Sequence, residues 1–345
     1  MKRFRKVLAT MAMASLIAGC SSSTPASSTA SATSTSGEVY NVGVAQLVDH
    51  PSLNTIREAM MDEFNEQGYV EGENLIVDYQ NAAGKTSNID SIMSGYAADQ
   101  DDLIIAIATP TALSAQNYSD QIPVVFSACS NPVEVGLVAD MEKPGGNITG
   151  TSDEIQVDQI VDLMLKLSPD IKTVGVLYNA GEANSVSNVE RFKKVAEEKG
   201  LKVIEKTGTD NTTLQQAAVD LASSCDAIFS PNDNTVATGM ASLGQVAKDA
   251  GIPYYVGADS MVETGGFATV GINYEELGRE TAKMAIEVLN GKSPADMPVK
   301  VFKDDLNVYI NEDLLNDLQA NGKTKVVLPD DLAGQDNLIK VTVTE

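Results

Sequence analysis

The sequence predicts an α/β protein of two like lobes, each a parallel sheet covered by helices. Short apolar runs rich in β-branched residues alternate with amphipathic stretches of helical period. The alternation occurs twice, offset by roughly 125 to 130 residues. The body from about Val39 to Glu345 is long enough for two domains that each bury a core.

Taken in order, VYNVGVAQL reads as the first strand. It is followed by a helix from about Asn54 to Gln67, ENLIVDYQ, a helix from about Ser87 to Ala98, DLIIAIAT, a short helix and PVVFSA. The second unit runs KTVGVLYN, a helix from about Val186 to Lys199, LKVIEKTG, a helix from about Thr213 to Ser223, CDAIFSPND, a helix from about Val236 to Ala250, and IPYYVGAD. Both units are β-α-β-α-β-α-β, so each lobe is Rossmann-like. Gly200 and Gly251 stand at expected helix ends, and Pro123 and Pro253 open equivalent strands, where a missing N–H is tolerated. GGFATVGINY then leads into ELGRETAKMAIEVLNGK, whose Leu277, Ala282, Met284, Ala285 and Val288 mark one face of a helix, and VKVFKDDLNVYIN reads as strand.

The N-terminus speaks to compartment. Lys2, Arg3, Arg5 and Lys6 precede an apolar stretch from Val7 to Ala18 that is too short for a permanent span, which is the pattern of a signal peptide over residues 1–19. Small residues lead into Cys20 in Leu16-Ile17-Ala18-Gly19-Cys20, a sequence that resembles the lipobox of bacterial lipoproteins. The resemblance implies that Cys20 is the lipidated mature terminus, anchored in a membrane by several acyl chains. The following stretch to residue 38 is Ser, Thr and Ala with almost nothing to bury, and reads as a flexible tether.

The chain carries a formal charge of −24; without residues 1–19, 20 basic side chains face 48 acidic ones, or −28. Such a surface repels phosphate backbones and excludes nucleic acid as a partner. Cys129 and Cys225 lie in small-residue or apolar segments with no Cys or His at metal-ligand spacing, so no metal and no cofactor is expected, and their pairing stays open. No Walker loop, G-x-G-x-x-G turn or G-x-S-x-G elbow follows either first strand, and His50 is the one histidine, so no enzyme is expected; a hydrolase using His50 with Asp49 would lack a nucleophile.

In open parallel sheets small molecules bind beyond the carboxyl ends of the strands. In the first lobe these positions hold Gln46, Asp49, His50 and Pro51, then Thr109, Pro110 and Thr111, then Ser127, Ala128, Cys129 and Ser130. Hydroxyls beside helix starts suit a carboxylate, although Thr109 and Thr111 could equally cap a helix. The second lobe offers Asn179, Glu182, Asn184 and Ser185, then Asn232, Asp233 and Asn234, then Asp259. Donors on one lobe and carboxylates on the other fit a zwitterion, with Asp153 of TGTSDE as a further ammonium partner; for Asp233 and Asp259, helix capping or turn formation is the alternative.

GVAQLVDHPSLN, IATPTA, PVVFSACSNPVEVGLV, GGNITGTSDE, SPNDNTVATGM and GINYEELGRETA, in this order along nearly the whole mature body, resemble the ABC-transporter solute-binding family that includes tryptophan- and other aromatic-amino-acid-binding lipoproteins. The resemblance implies the type I periplasmic binding protein fold, with a three-segment hinge. The N-terminal lobe would comprise 39–150 plus about 274–300, and the C-terminal lobe 151–273 plus about 301–345. It implies a monomeric receptor that closes on an amino acid and delivers it to a permease driven by a separate ATPase. Its ligand contacts fall on His50, Thr109, Ser127, Ala128, Asp153, Asn184, Asp233, Asn234 and Asp259. Cys129-Ser130-Asn131 departs from the more usual Val-Thr-Asp, and Asn54 stands where Asp is common. Leu47, Val48, Pro51, Leu53, Pro110 and Pro132 are the apolar residues expected to form a slot for an aromatic ring. A ligand-sensing subunit, for a sugar or a signal molecule, that feeds a membrane signalling protein is the competing reading of the same fold.

Overall fold

The computed structural model describes residues 38–303 and 306–342. The expected signal peptide, Cys20 and nearly all of the tether lie outside the described residues. Among the described residues no helix is long and apolar enough to cross a membrane.

The first lobe is built from β1 (Tyr40–Gln46), α1 (Pro51–Glu66), β2 (Leu75–Asn81), α2 (Thr86–Asp99), β3 (Leu103–Ile107), α3 (Thr109–Gln116), β4 (Val124–Ser127) and β5 (Ile148–Ser152). The second follows with α4 (Val157–Leu167), β6 (Thr173–Tyr178), α5 (Ala183–Glu198), β7 (Lys202–Thr207), α6 (Asn211–Ser224), β8 (Ala227–Ser230), α7 (Asn234–Asp249), β9 (Tyr254–Val256), α8 (Asp259–Glu263) and β10 (Ala268–Gly271). Then come α9 (Tyr274–Leu289), β11 (Lys300–Val301), β12 (Asn307–Asn311), α10 (Glu312–Asn321), α11 (Asp330–Ala333) and β13 (Leu338–Val341). The sheets are ordered β11-β5-β4-β3-β1-β2 and β13-β12-β10-β9-β8-β6-β7, and β10–β12 is the one antiparallel pair among the described strands.

The central strands β3 and β4 are buried along their whole length, as strands covered by helices on both faces must be, whereas the edge strand β7 is mostly exposed. The repeat reaches the level of single residues. Gly43 in β1 and Gly175 in β6 occupy the same place in two Val-Gly-Val triplets. A Cβ on Gly43 would lie 2.5 Å from the Tyr96 ring, and one on Gly175 would lie 2.9 Å from the Leu221 side chain, so each glycine seats the helix above it. Pro123 and Pro253 each lend a carbonyl to the neighbouring strand, to Ile104 and Ile228, at 3.0 Å.

The chain passes between lobes three times: from β5 to α4, from β10 to α9, and from β11 to β12. The stretch VKVFKDDLNVYIN is therefore two strands, β11 beside β5 in the first sheet and β12 beside β10 in the second. The expected boundary at 150/151 falls inside β5, so this crossing begins at Asp153. Late as it is in the chain, α9 packs on α1 and on strands β3, β4 and β5.

Four helices start two to three residues earlier than their apolar periodicity suggests: α1 at Pro51, α5 at Ala183, α6 at Asn211 and α7 at Asn234. Their first turns carry polar residues such as Ser52, Asn184 and Asn234, which face the space between the lobes or the loops beside it rather than the core.

Candidate functional site

The carboxyl ends of both sheets face each other across a small cavity of about 20 Å³. Of the residues expected there, His50, Thr109, Ala128, Asp153, Asn184, Asp233 and Asn234 line it. Three expected residues do not. Gln46 is buried inside the first lobe, its amide donating to Val48 O (2.9 Å) and Asn54 Oδ1 (2.7 Å). The Ser127 hydroxyl turns away from the cleft to Thr281 Oγ1 of α9 (2.8 Å), within a buried cluster completed by Thr151. Asp259 sits at the start of α8, where Oδ1 accepts from its neighbour Ser260 N at 2.7 Å, and it contributes nothing to the cavity wall.

The wall from the first lobe is built on helix N-termini. Both α1 and α3 point their first turns at the cavity, and neither has a side-chain cap. Their leading N–H groups have no partner within the helix and carry the positive end of its dipole. The hydroxyl of Thr109, at the first position of α3, is buried without a partner. The second lobe treats its corresponding helix differently. Asp233 caps α7, accepting from Val236 N (2.8 Å), while its other oxygen accepts from Asn179 N and Ser185 Oγ, both at 2.7 Å. Asp233 therefore lines the cavity with a carboxylate already committed to the N-cap of α7 and to the β6–α5 loop.

Asp153 occupies the first crossing. Its Oδ1 accepts from Ser130 Oγ (2.7 Å), and its Oδ2 accepts from Asn232 Nδ2 (2.7 Å) and the Tyr274 hydroxyl (3.3 Å). Burial raises its pKa above the ordinary carboxylate range, against the lowering effect of these hydrogen bonds. Burial, reinforced by the Glu182 charge, also raises Asp233, and burial lifts Asp259 to about 7. His50 is pushed down by burial, so its imidazole is neutral. Besides the Thr109 hydroxyl, His50 Nδ1 and Asn184 Oδ1 are buried in the cavity wall without partners. Three polar atoms without a protein partner thus belong to residues that border one cavity.

The lobes are closed on each other. His50 Nε2 meets Asn234 Oδ1 at 3.1 Å, Ser52 meets Ser260, and Asn232 Nδ2 reaches Ser130 Oγ at 2.9 Å. Outside the cavity Arg191 pairs with Glu154 at 2.9 Å and donates to Asn131 Oδ1 at 2.9 Å. Asp49 is exposed and no hydrogen bond joins it to His50.

The apolar part of the wall departs from expectation. Of the six residues proposed for it, only Leu53 lines the cavity; Leu47, Val48 and Pro110 face an outer crevice and Pro132 another groove. In their place stand Ala108, Ala237, Ala258, Met261 and Tyr274. Tyr274 was missed because it follows β10, a strand outside the repeated unit, and Met261 because it lies two residues beyond Asp259, the last position read after β9. The signal was present in GINYEELGRETA, where Tyr274 opens the helix of the second crossing. Cys129 and Cys225 are both buried free thiols.

Residues 41–331 match the family described as ABC transporter substrate binding protein. The chain is 38% identical over 278 residues to a tyrosine-binding protein of Clostridioides difficile, a match covering 81% of this chain and 80% of that one. A Streptococcus pneumonia domain solved in complex with L-Trp is 34% identical, with a TM-score of 0.82 over 88% of this chain and all of that one. The ligand-free, open structure of a substrate-binding protein with adhesive properties from Clostridium difficile is 38% identical over 89% of this chain and all of that one, yet its TM-score is 0.67. The lower score at the higher identity is what a closed chain gives against an open one, in keeping with the hydrogen bonds across the cleft. With its two parallel-sheet lobes, three crossings and interlobe cavity, the chain belongs to the ABC transporter substrate-binding proteins.

Proposed function

We propose that this protein takes up an L-amino acid with an aromatic side chain, closes around it, and presents it to a permease driven by a separate ATPase. The observation that carries the reading is the polarity of the cavity. Uncapped N-termini of α1 and α3, with the bare Thr109 hydroxyl, form an anion-accepting wall. Asp153 and the bare Asn184 Oδ1 supply acceptors for an ammonium group. Between them Ala108, Ala237 and Ala258 join Leu53, Met261 and Tyr274 in an apolar wall whose chemistry suits a flat ring, and a methionine sulfur makes favourable contact with an aromatic edge. The tyrosine-binding relative and the L-Trp complex support the same ligand class.

Lipidation at Cys20 would hold the receptor at the outer face of the membrane, with the Ser/Thr/Ala tether giving it reach. Labelled palmitate is expected in the wild-type protein and absent from Cys20→Ala.

Thermal unfolding of a chain beginning at Gly37, in a panel of amino acids and sugars, tests the ligand. A compound present at about a thousand times its dissociation constant stabilises the fold by roughly 4 kcal/mol. The expected response is to Tyr, Trp or Phe. A response to a sugar alone would sink the zwitterion reading.

A further inference from the structure

Glu182 is buried, yet it does not face the cavity; both of its oxygens are spent on the start of α7. Oε2 accepts from Asn234 N (3.1 Å) and Asn234 Nδ2 (2.6 Å), and Oε1 accepts from Thr235 N (3.0 Å) and Thr235 Oγ1 (2.7 Å). A carboxylate only accepts, so the amide nitrogen of Asn234 must face it, and Asn234 Oδ1 must be the atom turned across the cleft. That oxygen is 3.1 Å from His50 Nε2, which must then carry the proton. In a neutral ring the other nitrogen is left as a bare acceptor, and His50 Nδ1 is the buried, unpartnered atom in the cavity wall.

We infer that Glu182 is a positioning residue for ligand recognition: through Asn234 it fixes the tautomer of His50, so that closure of the lobes presents Nδ1 as an acceptor for an N–H or O–H of the bound ligand. The device operates only when the lobes meet, because Glu182 and Asn234 belong to one lobe and His50 to the other. A ligand with no donor at that point leaves Nδ1 buried and unsatisfied, so the relay converts closure into selection for a donor.

The inference rests on the amino-acid reading above, and L-Tyr is the probe. The chain has a single histidine, so nitrogen NMR of protein labelled at histidine reads this one ring without ambiguity. L-Tyr-bound wild type is expected to show the Nε2–H tautomer, with Nδ1 shifted as a hydrogen-bond acceptor. Glu182→Gln, which can turn its own amide toward Asn234, is expected to lose that single-tautomer signature and to weaken L-Tyr binding roughly tenfold or more. Asn234→Ala should do the same while leaving Glu182 in place, and serves if the first variant fails to fold. A purely structural role for Glu182 would lower the melting temperature of the variants without moving the tautomer of the ligand-bound ring. An Nδ1–H tautomer in the wild-type complex, or unchanged L-Tyr affinity and tautomer in the variants, overturns the inference alone. Failure of wild-type protein to bind L-Tyr, read before any variant is made, overturns the ligand reading and the inference with it.

Discussion

Asp153 is a buried carboxylate that already accepts from Ser130, Asn232 and Tyr274. Its raised pKa records how strongly burial opposes its charge, and a bound ammonium group would restore the balance. Asp153→Asn keeps the shape and removes that charge, so amino-acid affinity should fall roughly 10- to 100-fold by calorimetry. Wild-type affinity should also decline on acidification, since the carboxyl must lose its proton to receive the ligand, and that decline should be absent in the variant. Asp259 offers a contrast outside the cavity. Its carboxyl ionises near 4 when unfolded and at about 7 when folded. The folded state thus holds an extra proton between those values; the associated stability is full below pH 4 and lost as pH rises through 7. Asp259→Asn mimics the protonated form and can still accept from Ser260 N. It should therefore stabilise the fold at pH 8 by an amount on the order of 2 kcal/mol after allowance for partial exposure, read as a higher melting temperature, with little change in ligand affinity.

At the scale of elements, α9 and α1 approach closely where they cross. A Cβ on Gly278 would stand 2.4 Å from Ile56 O, so the two backbones meet without a side chain between them. Gly278→Ala should lower stability by about 1–3 kcal/mol in urea unfolding, despite the better helix propensity of alanine. The sequence made the alternation of strands and helices visible, because central strands such as DLIIAIAT and PVVFSA are continuously apolar. It made the loops beyond them visible too, which is why seven of ten expected contacts line the cavity. Strand position alone does not say which way a side chain turns. Ser127 ends β4 as expected but pairs with Thr281, a residue 154 positions later. Gln46 closes β1 and turns to Asn54 of α1. The polar first turns of α1 and α7 hid the true helix starts, and those turns hold His50's partner Asn234 and the cavity residue Ser52.

For the molecule as a whole, the two lobes are held shut by a few polar contacts. Arg191 lies on the second lobe and reaches Glu154 of the first crossing and Asn131 of the first lobe. Arg191→Ala removes the bond to Asn131, which exists only when the lobes meet, so it biases the pair of states toward the open one. Small-angle scattering should show a larger radius of gyration for the ligand-free variant than for ligand-free wild type. Ligand should restore compactness at a cost of roughly two- to tenfold in affinity. Equal radii would mean that this bridge does not bias closure.

The placement of α9 bears on how the chain comes to be folded at all. During synthesis α1 emerges early, and the helix that covers its apolar face begins at Tyr274, more than two hundred positions later. Until then the first lobe lacks one layer of its core, and β11, its outermost strand, emerges later still. Contacts of such sequence separation are slow to form, because loop closure must precede any gain from burial. The nascent first half therefore stays incomplete until most of the polypeptide is made, and a chain cut before residue 274 should expose that uncovered face and associate with itself.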